Sequence, residues 1–148
     1  MEYIEEYLNY VNNQRAQLES TVSSCILQLE DIIRKTIKDR WLRSESVNGG
    51  NITNKNTGNS TYASLSYKSL KILKNPSAGG KIDLTFTGSL GDKIKIEKNS
   101  SGNYEIISTD PKYNEIGDKY GFEEFGLSDA EMQYFMKLVE EKINSKLT

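Results

Sequence analysis

A chain of 148 residues with 36% hydrophobic and 27% charged side chains has the length and balance of one globular domain with a modest core. Nineteen basic against twenty-one acidic side chains, a net charge of −2, exclude a strongly basic nucleic-acid binder, and the absence of histidine removes the usual proton shuttle and the commonest metal ligand. The lone Cys25 can close neither an internal disulfide nor a four-ligand zinc site, and beside Ile26 and Leu29 it reads as a small buried hydrophobe on a helix.

At the N-terminus the apolar positions Ile4, Leu8, Val11, Leu18, Val22, Cys25, Ile26, Leu29, Ile33, Ile37 and Trp41 recur in steps of three or four, with one gap at Arg15. Neither Gly nor Pro appears before Gly49, so a single long helix is expected across residues 1–43. Some 38 such residues would reach about 57 Å, more than a domain of this size can cover at an expected diameter of about 30–40 Å. Part of the stripe is therefore expected on another subunit, with Leu29, Ile33, Ile37 and Trp41 as interface candidates. The alternative is a helix that bends near residues 15–19 and folds back as a hairpin. The start carries Glu2, Glu5 and Glu6, the end Arg34, Lys35, Lys38, Arg40 and Arg43, a distribution that complements the helix dipole. In a ring of identical subunits, Lys38, Arg40 and Arg43 would form a basic collar facing either an acidic neighbour or, weakly and non-specifically, DNA in a channel. No run of about 18 apolar residues reads as a membrane span, and the acidic start is unlike a secretory leader, so the chain is expected to be made and to work in the cytoplasm.

Residues 48–61 hold five asparagines, three glycines and one apolar side chain, Ile52, and are expected to form a mobile polar loop. The sequons at Asn51 and Asn59 carry no weight without a secretion signal. A short helix is expected over 61–73, with Tyr62, Leu65, Ser69 and Leu73 on one side, ended by the turn chemistry of residues 75–80. Ile82, Leu84 and Phe86 alternating with Asp83, Thr85 and Thr87 predict a first strand, Ile94 and Ile96 a second, and Tyr104 and Ile106 a third. A five-residue connection at 99–103 makes the last two antiparallel. Between Gly88 and Gly91 a tight turn or single helical turn returns Leu90 to the core, without the pattern of a phosphate loop.

A helix over 112–119 should point Tyr113, Ile116 and Tyr120 inward and end at a left-handed Gly121, after which Phe122, Phe125 and Leu127 fill space. Asp110, Asp118, Glu123 and Glu124 read as a solvated acidic face. Ser128 and Glu131 form a capping box opening a final helix, 128–148, with the stripe Met132, Phe135, Met136, Val139, Ile143 and Leu147.

The order of segments over residues 81–128 resembles the small head-to-tail joining and tail-completion proteins of tailed-bacteriophage necks. The resemblance is carried by Thr87, Gly88 and Leu90, then a hairpin, then Tyr120-Gly121 and Phe125-Gly126-Leu127 before the last helix. It implies a structural virion protein that forms a ring of its own copies between portal-side and tail proteins, with no cofactor, no metal and no catalysis. It also implies that the 48–61 loop orders against neighbouring rings. The chain departs from that pattern in having Lys119 nearly alone, before Glu123 and Glu124, where a more basic approach is expected. The fold class is α+β: a long N-terminal helix, a small antiparallel sheet and a C-terminal helix packed on the sheet, all in one domain. Two rivals are a cytoplasmic assembly chaperone or adaptor that binds a partner through the long helix, and a small enzyme using Asp110, Tyr113 and Tyr120.

Overall fold

The computed structural model describes residues 2–62, 64–85 and 88–147. Expectations for Phe86 and Thr87, and for the side chain of Leu147, fall outside the described residues. The chain is α+β, with a long bent N-terminal helix, a two-stranded antiparallel sheet and a C-terminal helix.

The helical stripe folds as α1 (Glu2–Gln28) and α2 (Glu30–Leu42). At Leu29 the backbone (φ −93°, ψ 7°) leaves the helical region, and its N–H donates to Ile26 O at 3.1 Å, a tighter i to i−3 turn. The bend lies well past residues 15–19, and the two segments continue one another without a hairpin. It brings α2 along β1 (Ile94–Lys98), whose outer edge is closed by side chains. Arg34 Nε donates to Ile94 O at 2.9 Å and Ile96 N–H donates to Glu30 Oε2 at 3.1 Å, while Arg34 and Glu30 pair at 2.8 Å. An edge strand is thereby denied to another chain.

β1 pairs with β2 (Tyr104–Ser108) in the register Ile94↔Ser108, Ile96↔Ile106 and Lys98↔Tyr104, joined by the expected 99–103 connection. Among the described residues the first predicted strand does not form: residues 82–85 are irregular, tied to the 60–62 segment by the bridge Thr61↔Lys81 and by Ile82 N–H donating to Ser60 O at 3.0 Å. Two local facts defeat the alternation. Leu84 sits at φ +55°, which no strand residue adopts, and Asp83 is as buried as Ile82 and Leu84. The turn at Gly88 (φ +85°) leads into α4 (Ser89–Asp92), a single helical turn that buries Leu90.

α5 (Tyr113–Tyr120) turns Ile116 and Tyr120 inward as expected. Gly121 lies at φ +105°, ψ 132°, a conformation reserved for glycine although not the left-handed cap. α6 (Asp129–Leu147) opens on the reciprocal capping box, with Ser128 Oγ accepting from Glu131 N–H at 3.2 Å and Glu131 Oε1 from Ser128 N–H at 2.8 Å. It lies along α1, and its Phe135 and Val139 enter the core that holds Ile94 and Ile96. Met132 and Met136 of the expected stripe are exposed instead, the inward row being Phe135, Leu138, Val139 and Ile143.

Residues 48–61 have more fixed contacts than their composition suggests. Ile52 is fully buried, Glu45 bridges to Asn51, Asn54 closes a turn with Asn59, and Lys55 N–H donates to Lys119 O at 2.8 Å. One apolar anchor and a side-chain turn give this loop a defined path across α5.

Candidate functional site

Of the residues expected at a subunit interface, Leu29, Ile33, Ile37 and Trp41 lie in the core of their own chain, none more than 3% exposed. The sheet, α4 and the 122–127 segment cover this part of the stripe, which the sequence alone could not reveal. The basic collar is dismantled as well. Arg40 is buried, pairs with Glu131, and donates from Nη2 to Glu124 O at 2.6 Å and Gly126 O at 3.0 Å. Lys38 pairs with Asp92, and Arg43 with Glu45 at 3.2 Å. These cations bind their own chain rather than presenting a shared positive face.

Arg40 and Trp41 explain the aromatic segment that carries the family resemblance. Trp41 Nε1 also donates to Glu124 O, at 3.0 Å, and its ring meets Phe125 edge-on at 5.3 Å. Gly126 is extended, so its carbonyl turns to Arg40, and Phe125 is fully buried against Tyr113. Leu127 packs at the edge of the core, beside the capping box. Gly88, Leu90, Tyr120, Gly121, Phe125, Gly126 and Leu127 therefore build turns and core. Two of the acidic residues are likewise internal and not solvated. Glu124 accepts from Ser46 Oγ at 2.5 Å and Val47 N–H at 3.1 Å. Asp110 accepts from Ser89 Oγ and from Lys112 N–H at 2.8 Å, which hold its carboxyl below the usual range. Glu123, held low by its 2.9 Å pair with Lys55, and Asp118 remain on the surface. Among the described residues no group of acids is arranged to hold a metal.

α3 (Leu65–Lys74), capped by Ser64, is turned opposite to expectation. Its buried residue is Lys71, at 3% exposure, while Leu65 and Leu73 are 80% and 78% exposed and Leu70 and Ile72 are also on the surface. The cause is Asp83, 1% exposed, whose Oδ1 lies 2.7 Å from Lys71 Nζ. Tyr62 Oη donates to the same oxygen at 3.2 Å, Thr85 N–H donates at 3.1 Å, and Asn75 Nδ2 donates to Oδ2 at 3.1 Å. Burial alone would raise the Asp83 carboxyl, but the hydrogen bonds from Lys71, Thr85 and Asn75 outweigh it and hold it below its ordinary value; burial drives the Tyr62 phenol up. A buried pair needs those extra donors to be tolerated at all. Satisfying it rotates the leucines of α3 outward.

The second uncovered face is the start of α1. From residue 2 to residue 20 every side chain is exposed except the half-buried Val11. Ile4, Leu8, Val11, Arg15, Leu18, Val22, Cys25 and Leu29 alternate in steps of four and three, a 3.5-residue period suited to helix-on-helix packing. Its end, at Cys25 and Leu29, is buried and Val22 is half-buried; Ile4, Leu8 and Leu18 are exposed, and Tyr3, Tyr7 and Tyr10 flank them in the open. That period was visible in the sequence, but it runs through the buried and the exposed part alike, and the fold alone shows the start of α1, rather than 29–41, to be the surplus.

A cleft of about 300 Å³ lies between α3, α5 and the 54–61 loop, lined by Tyr62, Tyr67, Lys112, Lys119 and Tyr120 among others. Its lining includes Tyr120 but neither Asp110 nor Tyr113, so this cleft does not bring together the three residues of the enzyme reading. Among the described residues no helix is long and apolar enough to cross a membrane. The chain matches no family model, no curated protein and no solved structure.

Proposed function

We propose that this is a structural protein of a tailed-bacteriophage virion, a ring-forming head-to-tail connector or tail-completion protein of the neck. Its partners are its own copies and the adjoining portal-side and tail proteins. The observation that carries the reading is the pair of uncovered apolar helical faces, on α1 and α3, of a chain whose conspicuous polar residues are engaged in holding the fold. Contiguous apolar surface on this scale marks contact sites, and two separate ones suit a subunit with a neighbour on each side. The motif order over residues 81–128 supplies the phage assignment. No catalytic residue and no cofactor form part of the proposal.

The 3.5-residue spacing on α1 favours a second reading, an assembly chaperone or adaptor that grips a partner helix transiently. Light scattering of the purified protein, alone and with a portal ring, separates the two. A ring-sized mass supports the connector, whereas a monomer that ignores the portal supports the adaptor.

A further inference from the structure

The two uncovered faces differ in charge as well as in place. Residues 2–20 carry Glu2, Glu5, Glu6 and Glu19 against Arg15, a net of −3. Leu65–Lys74 carries Lys68, Lys71 and Lys74 and no acid; with Lys71 turned inward to Asp83 and Lys68 half-buried beside it, Lys74 is left exposed at the end of the leucine face, alongside the exposed Lys81. One is an acidic apolar stripe and the other a basic apolar stripe. Each is exposed, so the chain does not fold one onto the other.

We propose that the acidic start of α1 in one copy docks on the leucine face of α3 in the next copy, Ile4 and Leu8 packing between Leu65, Leu70 and Leu73. The proposal rests on the reading above that copies of this chain join one another, and it names the two surfaces that join. Charge favours this pairing over the alternatives. Two α1 starts set side by side and parallel would place Arg15 against Arg15 within the seam and bring two acidic helix starts together, and two α3 faces would bring together two helices that carry lysines and no acid. A contact between unlike surfaces is heterologous, and a heterologous contact that closes generates a ring. The contact runs the length of α3, about 15 Å at 1.5 Å per residue, which is short for an interface that stands alone. Closure compensates, because every copy is then held on both sides, so assembly is cooperative and open chains are scarce.

The test uses exposed positions that leave the fold intact. In a Cys25→Ala background, Leu8→Cys and Leu70→Cys are introduced separately and together, and the proteins are oxidised with copper phenanthroline. The proposal expects covalent multimers from the double variant, which has a thiol on each surface, and covalent dimers from a mixture of the two single variants, which have one thiol each, but no cross-linked product from either single variant alone. Dimers from Leu8→Cys alone would show α1 starts pairing with one another and would overturn it. In parallel, Leu65→Glu/Leu70→Glu/Leu73→Glu is sized by light scattering, with circular dichroism to confirm folding. Loss of the oligomer supports the docking. An unchanged ring refutes it while the connector reading stands, and an α3-dependent closed dimer in the wild type sustains the docking while the connector reading falls. A wild-type monomer at high micromolar concentration with no cross-linking overturns the docking, and the portal experiment then decides the connector reading.

Discussion

Removing the Asp83 carboxylate should cost more than any other single polar change near α3. Asp83 and Lys71 are 1% and 3% exposed at the side chain and 2.7 Å apart. At an effective dielectric constant of about 20 their gross attraction is on the order of 6 kcal/mol, comparable with the desolvation of two buried ions, so the intact pair contributes little net stability. Asp83→Asn leaves the Lys71 ammonium buried without its carboxylate, and a loss of about 3–5 kcal/mol is expected. Lys71→Met should cost less, because Asp83 retains hydrogen bonds from Tyr62, Thr85 and Asn75. The double variant Lys71→Met/Asp83→Asn should recover much of the Asp83→Asn loss, since no charge is then stranded and an amide oxygen at position 83 can still accept from Tyr62 and Thr85. In urea, with a slope of about 2 kcal/mol/M, Asp83→Asn should lower the midpoint by about 1.5–2.5 M. A midpoint within a few tenths of wild type, or a double-variant loss equal to the sum of the singles, would refute the buried-pair account of why α3 faces outward.

Three further outcomes follow from the same contacts. Arg40→Lys should destabilise by about 2–4 kcal/mol in urea unfolding, because an ammonium cannot reach Glu131 and the Glu124 and Gly126 carbonyls together; a neutral result would mean the fork is not structural. Ile52→Ser should loosen residues 48–61 and raise their rate of limited proteolysis, while cleavage as fast in the wild type would refute Ile52 as the anchor. Asp83, Asp110 and Glu123 all have carboxyls held below their ordinary values, so the unfolded chain binds their protons first as pH falls. Their stabilisation is complete above about pH 5 and is lost through pH 4 and below, which thermal melts from pH 7 to 3 would reveal as a falling midpoint; a flat profile would contradict the sign.

Local chemistry predicted much of this fold. Periodicity marks α1, α2 and α6, the 99–103 connection sets the β1–β2 hairpin, Gly88 and Gly91 bracket the turn that buries Leu90, and Ser128 and Glu131 cap α6. What the sequence hides depends on partners far along the chain. Asp83 breaks the expected strand because its partner Lys71 is twelve residues back, on a helix whose leucines would otherwise face inward. Residues 29–41 look like surplus apolar surface until the sheet and the 122–127 segment are placed over them. The length argument, that one long helix outruns its domain, concerns quantity alone; the 3.5-residue spacing that starts at Ile4, Leu8, Val11 and Leu18 runs on unbroken through Cys25 and Leu29, so where the cover ends is set by the tertiary fold. Arg40 reads as one more surface cation of a basic helix end, and only the carbonyls of Glu124 and Gly126, more than eighty residues on, draw it inside.

The measurement closest to the central claim is the solution mass of the purified protein, by light scattering behind a sizing column, with and without a portal ring. The connector reading predicts a closed oligomer of many copies, alone or seated on the portal. A monomer unchanged by the portal would contradict it.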